Sequence, residues 1–447
     1  MRIIIVGAGA VGTHLAERLS TAGQDVVLVE RDPDRAEAAQ EQLDVLTVVG
    51  NGASPSVLER AGIERADLLL AVTSIDEVNL LACLAAYPFG VKVRVARVSN
   101  PEYLTKGAEI APDRLGGALL INPERECALE TFQLLQSEAA KELAFFADGK
   151  VQLIRIEVLA EAPVVGRQLA EIARDIKDRR FVTVAILRDG RTIIPRGRDT
   201  LEAGDQIYVI GQAQQMSRVY ELAGYGAFRL ERVMIAGGGR VAEHLARLLE
   251  AHGIDSLLID SDRERCVELA ESLHRTLVLH GDATDMELLE TEGIEAIDGF
   301  VALTGSDDTN MLSSLLAKTH GVKKVVALIQ KLDYIPLVSR VGIDAAVSPR
   351  LSTVNAILRY VRRGRVVSVA SLRSIEAEAI EFNVPAQSPA VGRPVAKLEL
   401  PDAALIGAII RDDEVLVPTG QDALRAGDTA ILFTLPEAIP ELERIFS

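Results

Sequence analysis

The chain has 447 residues, is 48% hydrophobic and 25% charged, has aromatics at only 4% with no Trp, and carries a formal charge of −17. A domain holds roughly 100 to 200 residues, so this is more than one ordinary core, and scarce aromatics suit parallel strands of Ala, Val, Leu and Ile covered by helices on both faces. An acidic surface without runs of Lys and Arg repels phosphate backbones, which excludes nucleic acid as a partner, and no apolar run reaches the roughly 18 to 20 residues of a membrane-spanning helix, so no direct membrane insertion is expected.

The chain opens with IIIVGAGAVG, Ile3 to Gly12, a buried strand breaking into a glycine turn, with no leader expected before it. Strands are expected near Arg2 to Val6, Asp25 to Val29, Val45 to Val49, Asp67 to Val72, Lys92 to Val98 and Ala118 to Ile121. Amphipathic helices lie between them, with Gly23 and Gly62 placed to end helices. This alternation predicts a doubly wound parallel sheet over residues 1–140. Residues 141–228 hold short strands, among them Phe181 to Leu187 followed by an Arg188-Asp189-Gly190 turn, and read as a small α+β domain.

The pattern then repeats. VMIAGGGRVA, Val233 to Ala242, stands 230 positions after the first glycine turn, and VAEHLARLLEAHG, ending at Gly253, answers VGTHLAERLSTAG, ending at Gly23. From the third strand onward the offset is 231. The second large domain is expected over 229–364 and a second small one over 365–447, the latter matched through SPAVGRPVAKL and ALRAGDTAILF to APVVGRQLAEI and TLEAGDQIYVI. The fold class is α/β, two Rossmann-like sheets each followed by a small α+β domain.

In GAGAVG, Gly7 permits the turn, Gly9 lets backbone approach a pyrophosphate, and Gly12 lets helix and strand pack, with Ala8, Ala10 and Val11 between them. Gly237, Gly238, Gly239, Arg240 and Val241 repeat the device, with Ala242 at the third place. Glu30 and Asp260 each end the second strand, 23 residues past the first glycine, where a carboxylate accepts from ribose hydroxyls and repels a 2′-phosphate. The motif therefore points to dinucleotide binding, with NAD favoured over NADP. Ligands in open parallel sheets sit beyond the carboxyl ends of strands, which adds Asn51, Gly52, Ala53, Thr73 and Ser74, against Asp282, Ala283, Thr284 and Thr304. Thr73 and Thr304 equally suit helix caps ahead of Glu77 and Asp308.

The halves differ at two charged places. Arg97, ending strand five, has Leu328 as counterpart, and Arg240 stands where the first turn has Ala10. Guanidinium pairs well with phosphate, so the first site is expected to favour a dinucleotide and the second a different or more highly charged nucleotide. No catalytic or metal-ligating residue is expected. Cys83, Cys127 and Cys266 stand apart with no CxxC, which fits a reducing cytoplasm. The six His, namely His14, His244, His252, His274, His280 and His320, avoid both small domains, and His14 and His244 share one helix position. No GxSxG, HExxH or Walker lysine occurs. The remaining reading is a protein that binds nucleotides as signals, with an NAD-dependent oxidoreductase and a sensor of some other partner as alternatives.

The glycine-rich large domain, the Gly281 to Thr284 loop, the Thr73 to Asn79 helix start, and a small domain with Val-Gly-Arg and Ala-Gly-Asp together resemble the RCK, or KTN, regulators of potassium transport. Their duplication in one chain is similar to the peripheral cytoplasmic subunits of bacterial potassium uptake systems. The resemblance implies NAD(H), and in some relatives ATP or ADP, in the large domains. It also implies a homo-oligomer, a tetrameric ring, at the inner face of the membrane on a Trk-type potassium transporter, gating it without hydrolysis or redox turnover. Carried onto this chain, the first site uses Gly7 to Val11, Glu30, Thr73, Ser74 and Arg97, and the second Gly237 to Val241, Asp260 and Thr304.

Overall fold

The computed structural model describes residues 1–21, 23–104, 116–137, 139–176, 180–226, 228–361, 366–371, 377–412 and 414–446. They fall into two compact units, Met1–Cys127 with Ser348–Val361, and Ala128–Val347 with Arg362–Ser447.

The first unit is built on six parallel strands: β1 (Arg2–Val6), β2 (Asp25–Glu30), β3 (Leu46–Val49), β4 (Leu68–Ala71), β5 (Val93–Arg97) and β6 (Leu119–Ile121). Their order is β3-β2-β1-β4-β5-β6, so the strand order reverses at β1 and a crevice opens beyond its carboxyl end. Ile3, Ile4 and Ile5 are fully buried in succession, as a central strand covered on both faces requires. Helices α1 (Ala10–Thr21), α2 (Pro33–Gln42), α3 (Pro55–Arg60) and α4 (Asp76–Ala86) connect the strands, and α5 (Pro123–Leu135) follows β6. Asp32 caps α2 by accepting from the amides of Asp34 and Arg35, with Pro33 opening the helix. Gly62 takes a left-handed φ of 80° after α3, where a side chain would be strained.

In the second unit β7 (Glu142–Phe146), β8 (Val151–Glu157), β9 (Phe181–Arg188), β10 (Arg191–Ile193) and β11 (Gln206–Gln212) form an antiparallel sheet ordered β10-β9-β11-β8-β7, accompanied by α6 (Leu169–Asp175) and α7 (Met216–Leu222). The second parallel sheet comprises β12 (Arg232–Ala236), β13 (Asp255–Asp260), β14 (Leu277–His280), β15 (Gly299–Ala302), β16 (Lys324–Leu328) and β17 (Ala345–Val347), in the same relative order as the first. Its helices are α8 (Arg240–Ala251), α9 (Arg263–Ser272), α10 (Met286–Thr291), α11 (Asp307–Thr319) and α12 (Ile335–Arg340), and α13 (Pro349–Val361) follows β17 in the chain. The last sheet holds β18 (Val366–Ser371), β19 (Glu378–Asn383), β20 (Ala404–Arg411), β21 (Glu414–Leu416) and β22 (Thr429–Thr434), with α14 (Ile439–Phe446) beyond it. Its order, β18-β19-β22-β20-β21, repeats that of the first small sheet. The two small sheets share a core in which Tyr208 and Ile210 meet Phe433 and Ile431. Two Rossmann-like parallel sheets, each followed by an antiparallel one, is the architecture the sequence predicts.

One arrangement departs from chain order. α13 follows the second large sheet but packs in the first unit, where Val354, Ala356, Ile357 and Leu358 join Leu15, Leu19, Val26 and Ile121 in one core against α1. Residues 128–135 of α5 belong to the second unit, and there the Phe132 ring meets His252 at 4.5 Å. The apolar spacing of α13 predicts a helix, while the sheet it covers is decided by tertiary packing.

Candidate functional site

The first glycine turn is held from three sides. The Gly7 amide donates to Val29 O at 2.8 Å, the Ala8 amide to Glu30 Oε2 at 2.6 Å, and α1 starts with the Thr13 amide on Gly9 O at 2.9 Å. Gly7 has φ +105°, a conformation that L side chains rarely adopt. Glu30 Oε1 accepts from the amides of Arg31 and Asp32 at 2.7 and 3.0 Å. The acid thus fixes the turn through both oxygens, and Oε2, with a single bond, keeps capacity for a further donor. The second copy repeats this: Gly237, at φ +101°, donates to Ile259 O at 2.7 Å, Gly238 donates to Asp260 Oδ2, and Asp260 Oδ1 accepts from Asp262 at 2.7 Å.

The loops after the third and fourth strands close the crevice. Asn51 Oδ1 accepts from the Ala53 amide at 3.0 Å, and Asp282 Oδ1 accepts from the Thr284 amide and hydroxyl at 2.8 Å each. Those bonds hold the Asp282 carboxyl below the usual carboxylate range. An Asn and an Asp therefore build the same turn. Fully buried Asn79 accepts from the Thr73 amide and hydroxyl at 2.9 and 2.7 Å, and donates to Thr73 O and Arg97 O at 3.0 and 2.8 Å. Asn310 makes the same four bonds with Thr304 and Leu328. This confirms Arg97 and Leu328 as counterparts. Neither threonine caps its helix: Ile75 occupies the cap of α4 without a side-chain bond, and in α11 the cap is Ser306, accepting from the Thr309 amide.

A cavity of about 530 Å³ occupies the first crevice. Of the residues expected there, Gly7, Gly9, Ala10, Val11, Glu30, Asn51, Gly52, Thr73, Ser74 and Arg97 line it. Ala8, Gly12 and Ala53 lie outside the lining. Gly12 packs so near the turn that an added Cβ would lie 1.8 Å from Gly7 O. The lining also holds residues that the motif does not point to, among them Arg35, Glu124, Arg350 and Thr353. Arg350 belongs to α13, and its place beside the first glycine turn leaves no trace in local sequence.

Three groups on this wall lack partners among the described residues: Nε of Arg97, Nε of Arg350 and Oε2 of Glu124, all buried. Arg97 makes one bond, from Nη1 to Thr73 O at 3.3 Å. Burial pushes the Arg350 guanidinium down from its ordinary value, with Glu17 favouring its charge. The Arg97 and Arg350 side chains both line the cleft, and planar guanidinium groups beside a glycine turn suit a ligand bearing anionic oxygens.

The second cleft, about 640 Å³, is lined by Gly237, Gly238, Gly239, Asp260, Asp282, Ala283 and Thr304, with Arg265, Gly305 and Ser306 beside them. Val241 is buried and outside the lining. Arg240, the first residue of α8, is exposed and also outside it. The cation that faces this cleft is Arg265, whose Nε donates to Gly238 O at 2.8 Å while its other nitrogens reach Glu243 at 2.6 Å and Glu268 at 2.9 Å. Its charge is already matched. Asp260, Asp262 and Asp282 then leave this lining acidic, whereas Arg31, Arg35, Arg97 and Arg350 outnumber Glu30, Asp32 and Glu124 in the first. The expectation of a more highly charged nucleotide in the second cleft rested on Arg240, and the charges around that cleft run against it.

His14 lies on α1, and burial, then the positive fields of Arg18 and Arg350, push it down to about 4. An unfolded chain takes up this proton below about pH 6.5, while the folded chain refuses it until about pH 4. Stability is therefore present above pH 6.5 and falls on acidification through that window, by up to about 1.4 kcal/mol per pH unit. His14→Gln is expected to flatten the dependence of the urea midpoint between pH 6.5 and 4.5. Equal slopes in both proteins would contradict the buried neutral ring.

The chain matches the TrkA-N domain model at residues 3–116 and 233–349, and the TrkA-C domain model at 153–224 and 379–447. The Trk system potassium uptake protein TrkA of Halomonas elongata is 39% identical over 451 residues, covering 100% of this chain and 98% of that protein.

The chain belongs to the TrkA family.

TrkA homolog 1 of Methanosarcina mazei is 38% identical with 100% of both chains covered. Among solved structures, the GsuK RCK domain is similar with TM-score 0.60 at 21% identity, covering 100% of this chain and 94% of that one. The GsuK channel bound to NAD is similar with TM-score 0.60 at 22% identity, covering 100% and 78%. At those identities the likeness establishes the fold alone. These TrkA relatives are named for potassium uptake and the structures for RCK domains and a channel, not as enzymes, so the oxidoreductase alternative gains nothing from them. No helix among the described residues is long and apolar enough to cross a membrane.

Proposed function

We propose that this chain is the cytoplasmic regulatory subunit of a Trk-type potassium transporter, that it binds NAD(H) in the first cleft, and that the ligand gates the transporter by favouring one arrangement of domains. The observation that carries the reading is the first cleft itself: a glycine turn lined on its other sides by the half-buried Arg97 and Arg350. Support for the nucleotide comes from the GsuK channel bound to NAD, and for the partner from the TrkA relatives. A ring of identical chains at the inner face of the membrane, with the second cleft reading a separate and less anionic signal, completes the proposal. Only differential affinity moves such an equilibrium, and a ligand at 100 times its Kd stabilises the state it selects by about 2.7 kcal/mol, enough for a roughly hundredfold population change.

The expected cofactor-facing role of Gly9 separates binding from folding. A Cβ added there meets nothing within 4 Å, and Gly9 lines the cleft. Gly9→Leu is therefore expected to leave the unfolding midpoint unchanged while lowering NADH affinity in calorimetric titration by at least about tenfold, one lost charge-assisted contact's worth. Capture of the wild-type chain from solubilised membranes with a potassium-translocating protein, in an NADH-dependent manner lost in Gly9→Leu, tests the gating role. Unchanged NADH affinity in that variant would remove the glycine turn from the site.

A further inference from the structure

The first cleft is walled by two parts of the chain that are far apart in sequence. One is the glycine turn with its neighbouring strand ends, and the other is the first turn of α13, through Pro349, Arg350 and Thr353. α13 is not loosely apposed, since Val354, Ala356, Ile357 and Leu358 are buried in the core beneath α1. Arg350 is thus held in place by its own helix while its Nε remains buried without a partner among the described residues. Glu17 is near enough to favour its charge, yet the two form no ion pair within the described residues, and His14 beside it is neutral near pH 7. A guanidinium fixed in the wall of a cleft is a good anion receptor, because its planar fork matches phosphate oxygens.

We infer that Arg350, supplied by the second half of the chain, is a phosphate-binding residue of the first cleft, recognising a nucleotide with two linked phosphates and fastening α13 to the glycine turn when that nucleotide is bound. This rests on the nucleotide reading of the first cleft and adds what that reading lacks, a group by which the second half feels occupancy of the first. The glycine turn can hold one phosphate through its amides, and Arg350 contributes the contact that distinguishes a pyrophosphate from a single phosphate or a bare nucleoside. Arg97, on the other wall, remains with Thr73 O and serves the same ligand from the sheet side.

The test uses the full chain as wild type, Arg350→Gln and Arg350→Lys, titrated calorimetrically with NADH, ADP, AMP and adenosine, with hydrogen exchange followed over residues 349–361. Arg350→Gln is expected to weaken NADH and ADP by about 10- to 100-fold, the scale of a hydrogen bond to a charged group, and to leave adenosine unchanged. Arg350→Lys, a point charge in place of a fork, is expected to fall between. NADH is expected to slow exchange in α13 of the wild type and not of Arg350→Gln. Wild-type affinity for NADH in both variants, or equal weakening for adenosine and ADP, overturns the role of Arg350 and leaves the nucleotide reading standing. A wild-type chain that binds neither NADH nor ADP overturns that reading and this inference with it.

Discussion

Asp205→Ala is expected to destabilise the first small domain by about 1.5 to 3 kcal/mol, the scale of hydrogen bonds lost from a buried charged group, with Glu202 still pairing the half-buried Arg188. Asp205 is 1% exposed and holds Arg188 by a two-point contact, Nε to Oδ1 and Nη2 to Oδ2 at 2.7 Å each. Its Oδ2 also accepts from the Glu202 amide at 2.8 Å, and Arg188 Nη2 donates onward to Thr200 O at 2.8 Å. One carboxylate therefore closes the loop between β9 and β11 from both ends. This is the Asp of the Ala-Gly-Asp motif, and its copy Asp428 binds Arg411 in the same way, at 2.9 and 2.7 Å, accepting also from the Arg425 amide. The motif's acid is a staple of the small fold. Because a chain of several domains does not unfold in one step, the loss is best read locally, as faster hydrogen exchange in β9 and β11. Exchange unchanged by the substitution would reduce the pair to the small worth of a surface salt bridge.

Gly52→Ala is expected to cost about 3 kcal/mol, at the upper end for an overpacked core, and Val6→Ala is expected to restore most of it. An added Cβ at Gly52 would lie 2.1 Å from Cγ1 of Val6, a side chain 1% exposed that has nowhere to go. In the second half the corresponding positions are Ala283 and Ala236, both buried, so that copy carries a small residue on the strand and a methyl on the loop. The double variant reproduces that division of volume. A double-mutant cycle in which the two losses merely add would show that the residues do not compete for the same space.

What the sequence makes legible follows from how local the cause is. The glycine turn, the acid ending the second strand and the paired sheets all arise from residues within one strand-turn-helix, and each is found where its spacing places it. Arg240 and Arg265 mark the limit. Arg240 adjoins the turn in sequence but begins a helix with its side chain exposed, while Arg265, a turn into α9, donates to Gly238 O. Nearness in the chain does not fix direction. For Thr73 and Thr304 spacing permits a cap, but the cap positions fall to Ile75 and Ser306, and the threonines instead bind buried Asn79 and Asn310, six residues on. Arg350 was out of reach altogether, since amphipathic spacing records that α13 has a buried face and is silent on which sheet receives it.

The placement of α13 has a consequence for inheritance. Were the gene divided between its two halves, the first product would lose Val354, Ala356, Ile357 and Leu358 from its core and Arg350 from its cleft. The second product would carry that helix without the sheet it covers. Point changes can make the two clefts diverge, as Arg97 and Leu328 already do, but fission of the gene exposes apolar surface on both products at once. Separation of the copies therefore carries a folding cost that divergence of their clefts does not, unless the products rejoin through that helix.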